Sequence, residues 1–205
     1  MGATEHRCTI RGTAAACLLG FLRQEFGDAS LDRIAAALAP AHRALLSTEL
    51  LLGAPVEERS VLPVELVVDV LGRAGEMYCA DSGGALALAE GVGAHAARED
   101  RSLLRRLGIE GLAAEHVVRA APRLWKEYAS CGTLTPTEVD SHSFLLSLEG
   151  FHDAHPAWCR CLTGYLREVV RRASGRQARV VEVQCVSEGA PVCEWHGDWN
   201  AASLF

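Results

Sequence analysis

The 205-residue chain carries 26 acidic against 20 basic side chains, a formal net charge of -6. That balance argues against a nucleic-acid partner, whose binders concentrate Lys and Arg on one face. No apolar run approaches the roughly 20 residues that cross a bilayer, and the start Met1-Gly2-Ala3-Thr4-Glu5-His6-Arg7 lacks the pattern of a secretion signal. The expectation is a cytoplasmic protein with neither nucleic-acid nor membrane partners. In that compartment eight cysteines point to metal ligands or buried thiols rather than a disulfide framework. The length suits one domain over 1–205, with a mainly helical half (1–130) and a Cys-rich α+β half (131–205).

In chain order, residues 13–26 place Ala16, Cys17, Leu19, Leu22 and Phe26 near one helical face, and Gly27 supplies a stop. A short helix fits 31–38 and ends before Pro40. Pro63 suits the first turn of a helix running to 79, with Leu66, Val67, Val70, Leu71 and Ala74 as its buried stripe. Asp81-Ser82-Gly83-Gly84 reads as a break, and a further helix spans 85–98. After a loop at 108–111, residues 113–119 and 122–130 read as two helices hinged at Pro122. Residues 133–139 and 142–148, rich in Thr, Val, Phe and Leu, then form an antiparallel hairpin about Asp140-Ser141. Pro156 opens a helix to 173, and 179–186 with 192–196 make a last strand pair. The expected architecture is α+β: a helical N-terminal half packed on a small antiparallel sheet with one long helix.

The candidate metal site is Cys159, Glu182, Cys185 and Cys193. Three thiols and a carboxylate suit tetrahedral Zn²⁺, a borderline-soft ion. On a helix from Pro156, Cys159 shares a face with Leu162, Leu166 and Val169 and points at the sheet. Cys161 lies roughly 200° away, as a peripheral thiol. Glu182 and Cys185 have opposite parity in a regular strand, so they reach one ion only across a bulge. The competing arrangement buries the three thiols in the core and leaves Glu182 exposed. Four protein ligands leave no open position, so the expected zinc is structural and pins the C-terminal hairpin to the helix.

The stretch Cys159-Arg160-Cys161-Leu162-Thr163-Gly164-Tyr165, followed by Glu182-x₂-Cys185-x₇-Cys193, resembles the 4-vinyl-reductase-like domain of phenol-sensing transcriptional activators and of proteins linked to bacteriochlorophyll synthesis. The resemblance implies that the matching Cys, Glu, Cys and Cys hold a structural zinc beside a pocket for a small aromatic ligand. The wider chain, including Ala121-Pro122-Arg123-Leu124-Trp125-Lys126-Glu127-Tyr128 and Cys193-Glu194-Trp195, resembles an uncharacterised paralogous family abundant in myxobacteria. The sensors' ligand-contacting residues have no one-to-one match here, so their phenol specificity does not carry over. No glycine-rich phosphate loop or helix-turn-helix pattern is present, so any signalling output is expected to pass through a partner.

Trp125, Tyr128, Phe144, Trp158 and Tyr165 cluster about the helix-to-sheet transition, as the lining of an apolar pocket or as an ordinary aromatic core, and Trp125, Tyr128, Phe144 and Trp158 are the expected pocket residues. His152-x₂-His155 before Cys159 offers a second ligand set, although His155 precedes Pro156 and suits a loop. His95 could be a haem ligand only by loose analogy with nitric-oxide sensors of this fold class, and reads as an ordinary helical histidine. Neither a G-x-S-x-G elbow nor a thiol–base pair stands out. The expected function is a non-enzymatic regulatory module with a structural zinc and a pocket for a small apolar or aromatic ligand. The alternatives are an enzyme or enzyme accessory acting on a hydrophobic ring compound of the tetrapyrrole-pathway type, or a dimeric interaction scaffold. A homodimer or protein contact is expected through the helical half, where Leu45-Leu46 and Leu50-Leu51-Leu52 exceed one apolar stripe.

Overall fold

A computed structural model describes residues 8–46, 60–99 and 112–199. The chain enters through a short strand, β1 (Thr9–Arg11), that passes directly into α1 (Gly12–Phe26) and pairs antiparallel with β2 (Val61–Pro63). Three-residue strands are too short to show alternation, and this pair forms only because distant segments meet. α1 buries Leu18, Leu19 and Leu22 and stops at Gly27, whose positive φ of 79° the expected glycine supplies.

α2 (Asp28–Ala37) starts three residues earlier than the sequence suggested, with Asp28 in its first turn, where a carboxylate complements the helix dipole. Pro40 not only ends that helix but opens α3 (Pro40–Leu45). α4 (Val64–Tyr78) follows Pro63 and buries the expected stripe from Leu66 to Ala74. α5 (Ser82–Glu99) also begins early. The Asp81 carboxylate accepts the Gly84 N–H at 2.7 Å, so the glycine pair becomes a capped first turn instead of a break.

α6 (Ala114–Arg119) and α7 (Ala121–Tyr128) lead into β3 (Thr133–Val139) and β4 (Ser143–Glu149). Asp140 closes this hairpin by accepting the N–H groups of His142 and Ser143, each at 2.6 Å. α8 (Pro156–Ser174) follows, with proline in its first turn and Gly175 at its left-handed end. β5 (Arg179–Gln184), a 3₁₀ turn (Val186–Glu188) and β6 (Cys193–Asp198) complete the described fold. The two hairpins join through β4 and β6 into one antiparallel sheet of order β3-β4-β6-β5, and α8 packs on β5 and β6.

The closest helix contact is between α5 and α8. A Cβ added to Gly93 would lie 1.7 Å from the Cys161 carbonyl oxygen, and one on Gly164 would lie 1.9 Å from that of Glu90. The two backbones touch, which only glycine permits.

The cysteine expectation is corrected at one pair, since Cys8 and Cys131 form a disulfide with Cα atoms 5.4 Å apart. Backbone contacts align the two segments: Ser130 N–H donates to the Thr9 carbonyl at 2.9 Å, and Ile10 bridges Ala129. A separation of 123 residues gave the sequence no local signal of this pairing. Of the leucines expected at a dimer contact, Leu45 is exposed and Leu46 buried, while Leu50, Leu51 and Leu52 lie outside the described residues. Among the described residues no helix is long and apolar enough to cross a membrane.

Candidate functional site

Two adjacent residues of α8 lead into two different sites. Cys159 is fully buried against the sheet, with its Sγ 3.7 Å from Sγ of both Cys193 and Cys185. Cys193 and Cys185 are themselves 3.9 Å apart. With Glu182 they offer four ligand atoms within 4.8 Å of one another.

The local sequence assembles this set through the bulge that parity demanded. The β5–β6 register shifts between Glu182 and Gln184, which turns Val183 out to solvent and lets Glu182 and Cys185 share a side. The 3₁₀ turn and Gly189, at φ 91°, then fold Cys193 back onto Cys185. Glu182 is half-buried, not exposed as in the competing arrangement, and its Oε1 is buried without a hydrogen-bond partner.

Protonation within the cluster is uneven. The hydrogen bond to Cys193 holds the Cys159 thiol protonated, with burial adding to the effect. Burial pushes the Cys185 thiol and the Glu182 carboxyl upward. Cys193 is lowered to about 6, because its sulfur accepts from the Cys159 thiol and the Val186 N–H. Such a donor set suits a thiophilic divalent cation.

Cys161 faces away from the sheet as its helical phase required, but it is not peripheral. α5 covers it, and burial pushes its thiol up to about 12. His152 and His155 do not join the thiols. His155 caps α8 by accepting the Ala157 N–H at 3.2 Å, and His152 is exposed.

The second site is a void of about 60 Å³ bordered by α5, α6, α7, α8 and the β3–β4 hairpin. Trp125, Tyr128, Trp158 and Tyr165 line it, together with Leu134 and Leu146. Phe144 does not. It shares the buried face of β4 with Leu146, but lies two residues nearer the hairpin turn, over Gly197 and beside Trp199 at 6.2 Å. Tyr165 shares a helical stripe with Trp158, Cys161, Leu162 and Val169, which brings it to the same wall. The hairpin residues carried no comparable signal.

Indole pairing separates Trp158 from its neighbours. Trp125 donates to the Cys131 carbonyl at 2.8 Å and Trp195 to Thr163 Oγ1 at 2.9 Å. The Trp158 N–H is buried with no acceptor, although its ring stacks on Phe151 at 6.0 Å.

No protein-family profile matches the sequence, and no curated protein matches it significantly. Among solved structures the fold is similar to H-NOX domains. An Fe(II) unliganded H-NOX protein from K. algicida aligns with a TM-score of 0.69 at 11% identity, covering 95% of this chain and 99% of that one. An H-NOX protein from S. oneidensis in the Fe(II)NO state gives 0.69 at 12%, covering 92% and 98%. An oxygen-binding H-NOX domain related to soluble guanylate cyclases gives 0.62 at 9%, covering 92% and 94%. At these identities the likeness is one of fold, and it makes the chain an α+β protein of H-NOX architecture.

These neighbours correct two expectations. The whole-chain likeness is to H-NOX domains, not to the 4-vinyl-reductase-like domain, whose match rested on a few residues about one helix and one hairpin. The expected zinc cofactor falls with it, since the metal named for the neighbours is Fe(II).

Haem, the group named for one further neighbour, does not fit this interior either. The void is about 60 Å³, against the roughly 300–1,000 Å³ of pockets that hold larger organic ligands. Among the described residues no histidine lines it. His95 leaves α5 on another face, where its ring packs on Phe21 at 5.6 Å and burial lowers its pKa. The α5–α8 backbone contact leaves no slot between those helices for a planar macrocycle.

Proposed function

We propose that this chain is a non-enzymatic regulatory module that binds a small apolar or aromatic molecule in the void beside α8. One observation carries the reading: the core keeps an apolar void of about 60 Å³ lined by aromatic and aliphatic side chains. Interiors normally close such spaces, and sites for small organic ligands are lined predominantly by hydrophobic and aromatic side chains. No carboxylate or imidazole lines it among the described residues, so the enzymatic alternative gains no acid–base pair. The four-ligand cluster is a cation site of thiophilic character that ties the β5–β6 hairpin to α8. Output passes to a protein partner or a second copy through the helical half, where Leu45, Val61 and Met77 are exposed.

Thermal melts of the full chain with benzene test the pocket, because a ligand bound only to the native state raises Tm. An unchanged Tm at saturating benzene would remove the ligand reading. Co²⁺ titration tests the cluster: thiolate-to-metal absorption is expected in the wild type and not in Cys193→Ser, and its absence from the wild type would remove the cation reading.

A further inference from the structure

We infer that the arginine-rich surface where α5 and α8 end is a docking site for an acidic segment of a protein partner. It stands apart from the void and from the thiol cluster, and it needs neither to be occupied. Two grooves meet there and share Arg171 and Arg172 as a common wall. Arg98, Glu99 and Glu168 border one of them, and Arg176 borders the other.

Charge selects the partner. Four guanidiniums face two carboxylates, on a chain whose net charge is -6. Three of the four converge on Glu168, which is buried. Arg171 donates to it through two bonds, at 2.8 and 2.7 Å, and so holds its carboxyl below the usual carboxylate range; Arg98 and Arg172 act in the same direction. The C-terminal ends of α5 and α8 absorb part of the positive surplus, and Arg172 donates to the Ala97 carbonyl at 2.9 Å in the last turn of α5. A guanidinium has five N–H donors, however. These bonds take two from Arg171 and one from Arg172, and the donors that remain suit a carboxylate.

Polarity selects a protein over the other anions. Sites for small organic ligands are lined predominantly by apolar side chains, whereas beyond the charged groups these walls add only Gly175 and Gln177. A lipid surface would draw on apolar residues beside the charge, and none of the described residues lining the grooves is one. A nucleic-acid duplex takes a longer basic stripe. Arg98, Arg171 and Arg176 are exposed, so a carboxylate-rich segment reaches them without opening the fold, and Arg is enriched at protein interfaces.

The test is fluorescence anisotropy of a labelled octaglutamate peptide titrated with the purified full chain. Binding is expected at about 20 mM NaCl and should weaken about tenfold at about 200 mM. The double variant Arg98→Gln/Arg176→Gln, which spares the Glu168 fork and the Ala97 bond, should bind about fivefold or more weakly. Arg123→Gln, exposed on α7, removes a charge elsewhere and should leave affinity unchanged. No binding at low salt would overturn the inference, as would equal losses in the double variant and in Arg123→Gln. Tighter binding to phosphatidylserine vesicles or to duplex DNA, lost in the same double variant, would overturn the protein partner and reassign the surface. If the double variant does not fold, Arg176→Gln alone decides, with an unchanged affinity counting against the inference.

Discussion

Trp158 and Cys159 leave α8 about 100° apart and enter surroundings that lack opposite things. The cavity beside Trp158 lacks atoms: its wall is apolar, and the void of about 60 Å³ forgoes the dispersion contacts a packed core would make. The cluster around Cys159 lacks compensation: three thiols and a carboxylate crowd within 4.8 Å, and Glu182 Oε1 is buried without a partner. Burial alone does not distinguish the two. What is missing does, since absent volume suits an apolar occupant and absent charge balance suits a cation.

The largest expected effect would abolish the comparison by destroying the frame of both sites. Gly164→Leu drives a side chain into the Glu90 carbonyl and should cost about 3 kcal/mol or more, read as loss of the folded signal in denaturant. Gly72→Ala, where an added Cβ meets nothing within 4 Å, should instead stabilise by about 0.5–1 kcal/mol. A mild effect at Gly164 would show that α5 and α8 can separate.

Removing the disulfide acts on the frame while sparing both sites. Cys8→Ser frees a loop closed across 123 residues and should lower stability by about 2–4 kcal/mol, with Co²⁺ and benzene binding unchanged. Loss of either binding would couple the N-terminal strand to a site.

Cys185→Ala sharpens the contrast by removing a ligand from one site alone. It should cost about 1–3 kcal/mol and abolish Co²⁺ absorption, while the benzene-induced rise in Tm persists. Loss of both responses would make the two sites one.

The smallest effect is the acid response of His95, which belongs to neither site. Burial lowers its pKa, so the unfolded chain binds the proton more readily, and stability falls as pH drops below the ordinary histidine value of about 6.5. His95→Gln should flatten that slope in melts between about pH 7 and 5. An unchanged slope would assign it to other groups, among them His155, which burial also lowers.

Much of this was legible where local chemistry decides structure. Gly27, Pro63, Pro156 and the β3–β4 turn ended or opened elements as their backbone preferences require. The parity of Glu182 and Cys185 set a bulge as the condition for their meeting, and the strand register does shift between Glu182 and Gln184. Illegible features were those made by distant segments meeting: the β1–β2 pair, the Cys8–Cys131 bond and the Gly93–Gly164 contact. Phe144 was misplaced because strand parity gives a face and not a position along it. The resemblance to a zinc-containing domain failed because a few matching residues do not determine the path of the whole chain.

The central claim, that the void beside α8 receives a small apolar ligand, is tested most directly by filling it. Ala96 is buried in the cavity wall, and Ala96→Leu occupies the space from the α5 side. The account predicts that benzene raises the Tm of the wild type and leaves that of Ala96→Leu unchanged, while the variant without ligand melts no lower than the wild type. An undiminished benzene response in Ala96→Leu would contradict it.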